Sequence, residues 1–245
     1  MEKEILNYIR LNPFISQQEL ANKLGLSRSA IAGYISSLTK KGEIKGRAYV
    51  LKETDSIICI GTMNFDSKAH ATEEIRTATA NPVKVSESCG GVARNVAENL
   101  ARLGMNASLV SCIGNDKEGM WVMEETRLSG VDISQVKILP DERTGTYTAV
   151  LDTTGEMFLA LANLDICQHI NRAMLEERWS HIAAAQTVFL DANLSEEGLK
   201  YVIERCEDER IDLYIDPVSL SDAQKLPENL SGVHTIFPNR MKLAF

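Results

Sequence analysis

From Ser56 onward the chain alternates short apolar runs with amphipathic stretches, and that alternation restricts its fold more than any other feature. Ile57-Ile58-Cys59-Ile60-Gly61 reads as a short buried strand. Residues 92–103 carry a helical period that Gly104 can end, 107–114 read as a strand, and 117–129 read as a helix closed by Gly130. Residues 187–190, 195–207, 212–215 and 235–237 continue as strand, helix, strand and strand. Strands separated by crossover helices are parallel, so this part is predicted to be a doubly wound α/β sheet covered on both faces. Two segments break the rhythm. Residues 144–151 and 156–162 alternate apolar and polar side chains around Asp152-Thr153-Thr154-Gly155, the pattern of a β-hairpin. Residues 67–87 lack a helical period. Together these segments are expected to form a small β lid over the C-terminal end of the sheet, where open α/β sheets bind ligands.

Residues 1–52 have a different texture. Ile5, Leu6, Ile9 and Leu11 share one helical face, and Ser16-Gln17-Gln18-Glu19 has the form of a capping box. Leu20, Ala21 and Leu24 continue that second helix, which Gly25 can end. Ser27 is the next N-cap, and Ile31, Ile35 and Leu38 make the buried stripe of a third helix. Residues 41–51 read as a short hairpin with a basic tip. Glu53-Thr54-Asp55 is the expected linker.

Charge separates the same two parts. Residues 1–55 hold nine Lys/Arg against six Asp/Glu, whereas 56–245 hold 17 against 28, an asymmetry that points to two different partners. Five scattered cysteines without C-x-x-C spacing read as reduced thiols and argue against a disulfide frame or a zinc site. The four histidines have no ligand spacing, so no metal site of the protein's own is expected. No apolar signal core or membrane-length run is present, and a cytoplasmic location without membrane contact is expected.

The chemistry-bearing stretch is Ser88-Cys89-Gly90-Gly91-Val92-Ala93-Arg94-Asn95. A glycine pair opening into a helix is expected to let backbone N–H groups approach a polar ligand where helix donors are unpaired. Asn95 adds an amide with donors and an acceptor, which suits a sugar hydroxyl. Asp66 is expected at a strand end, either binding ligand or capping local N–H groups. Asn64 either assists it or holds the turn. Asn193 either touches substrate or is the turn residue before Ser195, the second being the favoured reading.

Two resemblances organise these residues. Gln18-Glu19-Leu20-Ala21, Leu24-Gly25-Leu26-Ser27-Arg28-Ser29-Ala30-Ile31, Leu38 and Gly42-Glu43-Ile44 resemble a winged helix-turn-helix over residues 2–52. The resemblance implies that the helix from Ser27 enters a DNA major groove, with Arg28, Ser29, Lys40, Lys41 and Arg47 as the DNA-binding residues and a homodimer as the binding form. The competing reading is a small interaction or dimerisation module. From Ser56 to Arg240, five motifs occur in the order of the ribokinase (PfkB) family of sugar and nucleoside kinases. They are Gly61-Thr62-Met63-Asn64-Phe65-Asp66, Gly90-Gly91-Val92-Ala93-Arg94-Asn95, Ile113-Gly114-Asn115-Asp116, Asp216-Pro217-Val218 and Pro238-Asn239-Arg240. Within that family Ala80-Asn81-Pro82-Val83-Lys84 and Asp216-Pro217-Val218-Ser219 look most like bacterial pseudouridine kinases.

The family resemblance implies a ribokinase-like fold with a β lid. It also implies ATP and Mg2+ as cofactors and phosphorylation of the 5′-hydroxyl of pseudouridine, another riboside or a sugar. Asp66 would accept hydrogen bonds from ribose hydroxyls, Asn64, Gly90, Gly91 and Asn95 would help hold the sugar, and Asn239 would lie near the nucleotide phosphates and magnesium. The family's Asp-Thr-x-Gly-Ala-Gly-Asp segment does not occur in this sequence, because Glu156-Met157 follow Asp152-Thr153-Thr154-Gly155. Residues 56–245 are therefore expected to be the N-terminal part of the kinase domain. No catalytic base is expected within it, that residue being expected beyond Phe245, and the exposed sheet edge is expected to lower stability or promote self-association. The alternative function is a winged-helix regulator that senses a ligand through a kinase-derived half.

Overall fold

The computed structural model describes residues 1–12, 15–45 and 56–238. In the first part three helices form where the capping residues place them: α1 (Glu2–Leu11), α2 (Gln17–Leu24) and α3 (Arg28–Lys40). Both halves of the capping box are made. Glu19 N–H donates to Ser16 Oγ at 3.1 Å, and Ser16 N–H donates to Glu19 Oε2 at 2.8 Å. Gly25 ends α2 with φ +65°, and Ser27 caps α3 by accepting from Ala30 N–H at 3.1 Å. Ile5, Ile9, Leu20, Ile31, Ile35, Leu38 and Ile44 close a core of their own, as the stripes require. The expected hairpin lies largely outside the described residues, and Arg47 with it.

The second part builds a parallel sheet. Its elements in order are β1 (Ser56–Ile60), β2 (Asn64–Ala71), β3 (Val83–Gly90), α4 (Val92–Arg102), β4 (Asn106–Val110), β5 (Cys112–Gly114), α5 (Lys117–Leu128) and β6 (Lys137–Leu139). They continue with β7 (Gly145–Leu151), β8 (Met157–Asn163), α6 (Arg172–Ile182), β9 (Thr187–Asp191), α7 (Glu196–Glu209), β10 (Asp212–Asp216), α8 (Leu220–Ala223) and β11 (Val233–Ile236). The main sheet has the order β11-β10-β9-β1-β4, all parallel.

Alternation in β1 shows why both faces must be covered. Ile58 and Ile60 enter the core shared with α6 and α7, while Cys59 enters the core with Ala93 and Ala97 of α4 and Val122 of α5. This is the predicted two-faced sheet. One strand differs from expectation. Residues 107–114 do not run as one strand: β4 leaves β1 after Val110, and β5 pairs instead with β6. Buried Ser111 marks the break, donating its hydroxyl to Gly61 O at 2.6 Å while its own carbonyl accepts from Lys137 N–H at 2.9 Å.

The lid is a four-stranded sheet of order β3-β2-β7-β8. Its second hairpin turns where expected, with Asp152 Oδ1 accepting from the N–H groups of Thr154 (2.8 Å) and Glu156 (3.0 Å), and Gly155 at φ +88°. An edge-on contact between Phe65 of β2 and Trp121 of α5, 5.7 Å between centroids, anchors the lid to the main body. Among the described residues no helix is long and apolar enough to cross a membrane.

Candidate functional site at the switch point of the sheet

β1 lies between β4 and β9, so the strand order reverses there, and in open α/β sheets the ligand crevice is expected outside the carboxyl ends of such strands, here β1 and β9. The segments carrying Asn64, Asp66, Gly90, Gly91 and Asn95 all start from this end of β1. The chain leaves β1 through Gly61-Thr62-Met63 into β2, and returns along β3 through Gly90-Gly91 into α4. The lid is thus an excursion between β1 and its first helix, which places Asn64 and Asp66 at the lid base and Asn95 one turn into α4.

A fully buried carboxylate ties these segments together. Asp191, the last residue of β9, accepts from Thr62 N–H (2.7 Å), Thr62 Oγ1 (2.6 Å) and Ala93 N–H (3.0 Å) on one oxygen and from Asn193 N–H (3.1 Å) on the other. Burial pushes its pKa up, and the hydrogen bonds from Thr62, Ala93 and Asn193 pull it back toward the anion. Thr62 Oγ1 also accepts from Val92 N–H at 2.9 Å, and Thr62 O accepts from Arg94 N–H at 3.1 Å.

These bonds correct one expectation. The first donors of α4, those of Val92, Ala93 and Arg94, are not waiting for a ligand; Thr62 and Asp191 already satisfy them. The glycine pair has another cause. A Cβ on Gly90 would collide with the Asp66 carboxylate, and one on Gly91, at φ +100°, would collide with the Thr62 backbone. The pair makes room for protein groups, and one of those groups is the candidate ligand-binding acid.

Asp66 stands third in β2, within a strand and not at its end, and it is half-buried. Its Oδ1 accepts from Asn64 Nδ2 at 2.5 Å, so buried Asn64 orients the acid. Burial raises the Asp66 pKa, against Asn64's hydrogen bond and the charges of Lys68 and Arg94. The strand register sets Ser88 and Tyr147 directly opposite Asp66, on the same face of the lid. With Lys68 two residues along, that face offers carboxylate, hydroxyl, phenol and ammonium groups.

Asn95 is exposed, and its Oδ1 accepts from Arg94 Nη1 at 3.0 Å. Asn193 makes a local turn through Asp191 and precedes Ser195, which caps α7 by accepting from Gly198 N–H at 3.1 Å. Asp116, in another of the quoted motifs, has a scaffolding geometry. It caps α5 through Gly119 N–H (2.8 Å) and accepts from Thr144 N–H (2.8 Å) and Thr144 Oγ1 (2.6 Å) at the start of β7. Burial pushes its pKa up, but the bonds from Thr144 and Gly119 win and hold it below the usual value. Asn239 lies outside the described residues.

Sequence reasoning missed Asp191, and Thr62 and Arg94 as working residues, although both stand inside quoted motifs. The available signal for Asp191 was an acid ending an apolar strand at the carboxyl side of a parallel sheet. In the first part, Arg28, Ser29 and Lys40 are exposed on α3. Lys41 is not a free cation, since its ammonium lies 2.9 Å from both carboxylate oxygens of Glu2.

Comparison with known proteins agrees with this architecture. Residues 54–245 match the model of the pfkB family carbohydrate kinases, and residues 1–45 match a winged helix-turn-helix DNA-binding model. An uncharacterized sugar kinase from Escherichia coli, YeiI, is 35% identical over 242 residues, covering 99% of this chain and 66% of its own length. The pseudouridine kinase of the same organism is 34% identical over 192 residues, covering 78% and 61%. A carbohydrate kinase from Agrobacterium tumefaciens superposes with a TM-score of 0.71 at 28% identity, over 77% of this chain and 62% of that one. The chain thus spans a little under two thirds of the length of these relatives. On the family match, the two-faced sheet and the lid, the chain belongs to the pfkB family of carbohydrate kinases, with a winged helix-turn-helix domain at its front.

Proposed function

We propose that the crevice binds a riboside, with pseudouridine as the favoured ligand, for ATP-dependent phosphorylation of its 5′-hydroxyl in the complete kinase. The observation that carries this reading is the Asp66 carboxylate, half-buried, oriented by Asn64 and given space by Gly90, at the switch point of a sheet of the carbohydrate-kinase family. A carboxylate accepts two hydroxyl protons of a vicinal diol in charge-assisted bonds. Gly90 and Gly91 shape the floor, and Asn95 contributes a second polar contact. The likeness to pseudouridine kinase supports the base preference. ATP supplies the phosphoryl group and Mg2+ its charge compensation; the residue assigned to both by resemblance, Asn239, lies outside the described residues, so the proposal concerns the sugar side.

Calorimetric titration with pseudouridine, uridine, ribose and fructose tests it. The expected result is selective pseudouridine binding, weakened at least tenfold by Asp66→Ala and by Asn95→Ala. Equal binding of all four, or indifference to both substitutions, refutes it.

The front domain is proposed to bind double-stranded DNA as a homodimer. Exposed Arg28, Ser29 and Lys40 on a well-capped α3 support DNA contact, and Arg47 is retained by sequence. Lys41, paired with Glu2, is expected to add less. The apolar residues Met157, Phe158, Leu159 and Leu161, exposed on the lid's outer strand β8, support a second copy of this chain as the partner. A duplex titration across a salt series should show affinity falling with salt and a shallower slope for Arg28→Ala. Sedimentation reads the dimer, and a monomer at micromolar concentration removes it. A coupled reading, in which riboside alters DNA affinity, predicts a shifted duplex titration when pseudouridine is added.

A further inference from the structure

Arg94 is buried, 6% exposed, one residue before Asn95, and its guanidinium is held by three side chains, those of Thr126, Asn95 and Glu98. Nε donates to Thr126 Oγ1 at 3.0 Å, and that hydroxyl donates onward to Val122 O at 2.6 Å inside α5. Nη1 donates to Asn95 Oδ1 at 3.0 Å and pairs with the carboxylate of Glu98 one turn along α4. Glu98 in turn holds Arg102 at 2.5 Å.

The chemistry of arginine settles what that contact means. The two ends of an asparagine amide have nearly the same shape, so its sense follows from its partners. A guanidinium has five donors and no acceptor. The atom of Asn95 that meets Arg94 must therefore be the oxygen, which leaves the NH2 group of this exposed side chain available to a ligand. Asp66, an acceptor already oriented by Asn64, is the opposite kind of group. The site presents one acceptor and one donor in fixed sense, and a hydroxylated ligand satisfies both because each hydroxyl donates and accepts.

We propose that Arg94 is a positioning residue that fixes the hydrogen-bonding sense of Asn95, and so makes the crevice selective for ribosides over their deoxy analogues. The proposal rests on the riboside reading above. Without Arg94 the Asn95 amide is free to turn either end outward and to change rotamer. A site that loses its fixed donor loses its power to reject a ligand lacking the matching hydroxyl.

The test compares pseudouridine with its 2′-deoxy and 3′-deoxy analogues by calorimetry, in the 245-residue chain and in Arg94→Lys, Arg94→Met, Thr126→Val and Asn95→Ala. The parent chain is expected to favour pseudouridine over at least one deoxy analogue by tenfold or more. Arg94→Met and Arg94→Lys are expected to cut that ratio at least threefold, and Thr126→Val to cut it in the same direction by less. Arg94→Met added to Asn95→Ala should change the ratio no further. Equal weakening of pseudouridine and its analogues would assign Arg94 a general structural role and overturn the proposal, as would an unchanged ratio. Should Arg94→Met fail to fold, Arg94→Lys and Thr126→Val carry the same comparison. Unfolding of all three beside a folded, binding Asn95→Ala also counts against it. If Asp66→Ala and Asn95→Ala leave pseudouridine affinity intact, the riboside reading itself has failed, an outcome distinct from an unchanged ratio in Arg94 variants.

Discussion

Thr62→Val removes one oxygen from the junction of β1, α4 and β9 and keeps its volume. Thr62 is 2% exposed, and its hydroxyl donates to Asp191 at 2.6 Å while accepting from Val92 N–H at 2.9 Å. The first bond is charge-assisted, worth about 1.5–3 kcal/mol, and losing the second leaves a helix N–H short of a partner at about 1–3 kcal/mol. Partly exposed Val92 places the second near the lower end. The added methyl returns roughly 0.8 kcal/mol. The net expected loss is about 3 kcal/mol, a large part of the ~5–15 kcal/mol of a typical domain. At roughly 2–4 °C per kcal/mol for a domain of this size, the melting point falls by about 6–12 °C. Trp121 and Trp179 are the chain's two tryptophans and both lie in the kinase part, so fluorescence during urea unfolding reads that part alone. Thr62→Ser keeps the hydroxyl and should lose about 1 kcal/mol or less. A Thr62→Val chain within 1 kcal/mol of the parent, or a Thr62→Ser chain less stable than Thr62→Val, would refute this account of the junction.

Three further outcomes follow from the same geometry. Gly90→Ala drives a methyl group into the Asp66 carboxylate, so riboside affinity should fall at least tenfold while the melting point of the front domain, whose core is separate, stays in place; unaltered affinity would mean that Asp66 does not hold the ligand. Burial raises the Asp66 pKa, and only the ionised acid accepts from two hydroxyls, so affinity should be level at neutral pH. It should fall on acidification through a point above the usual carboxylate value, and Asp66→Asn should remove that dependence. Burial pushes the thiols of Cys112 and Cys206 up to about 12 and those of Cys59 and Cys167 upward as well, so a disulfide reagent at pH 8 should label at most half-buried Cys89 in the native chain and all five in urea; two or more fast native thiols would contradict the described core.

What could be read in the sequence was local. The capping box at Ser16 and the Asp152 turn rest on contacts a few residues apart, and the helix from residue 92 follows its own apolar period; each formed where its residues place it. The alternation of apolar runs gave the layers because a parallel strand buried on two faces leaves few alternatives. The break after Val110 was illegible, since residues 107–114 form a continuous strand-like run and only pairing with residues 137–139 shows where the chain departs. The partners of Asp191 were illegible for the same reason, its donors Thr62 and Ala93 standing 129 and 98 residues away, although its place at a strand end could be read.

The Gly90-Gly91 pair shows how a motif can be read in the right place for an incomplete reason. Open donors at the start of α4 were the expected feature, yet Val92, Ala93 and Arg94 spend their N–H groups on Thr62 and Asp191. What the glycines leave open is space for the Asp66 carboxylate on one side and the Thr62 backbone on the other. On the proposed reading, ligand recognition falls to side chains held from behind: Asp66 by Asn64, and Asn95 by Arg94. An exposed amide on a surface helix adapts to whatever it meets, whereas one whose oxygen is held by a buried guanidinium turns its donors outward. On that reading selectivity is set one residue behind the contact, and substitution of Arg94 is expected to change which ligand is preferred more than how tightly any ligand is held.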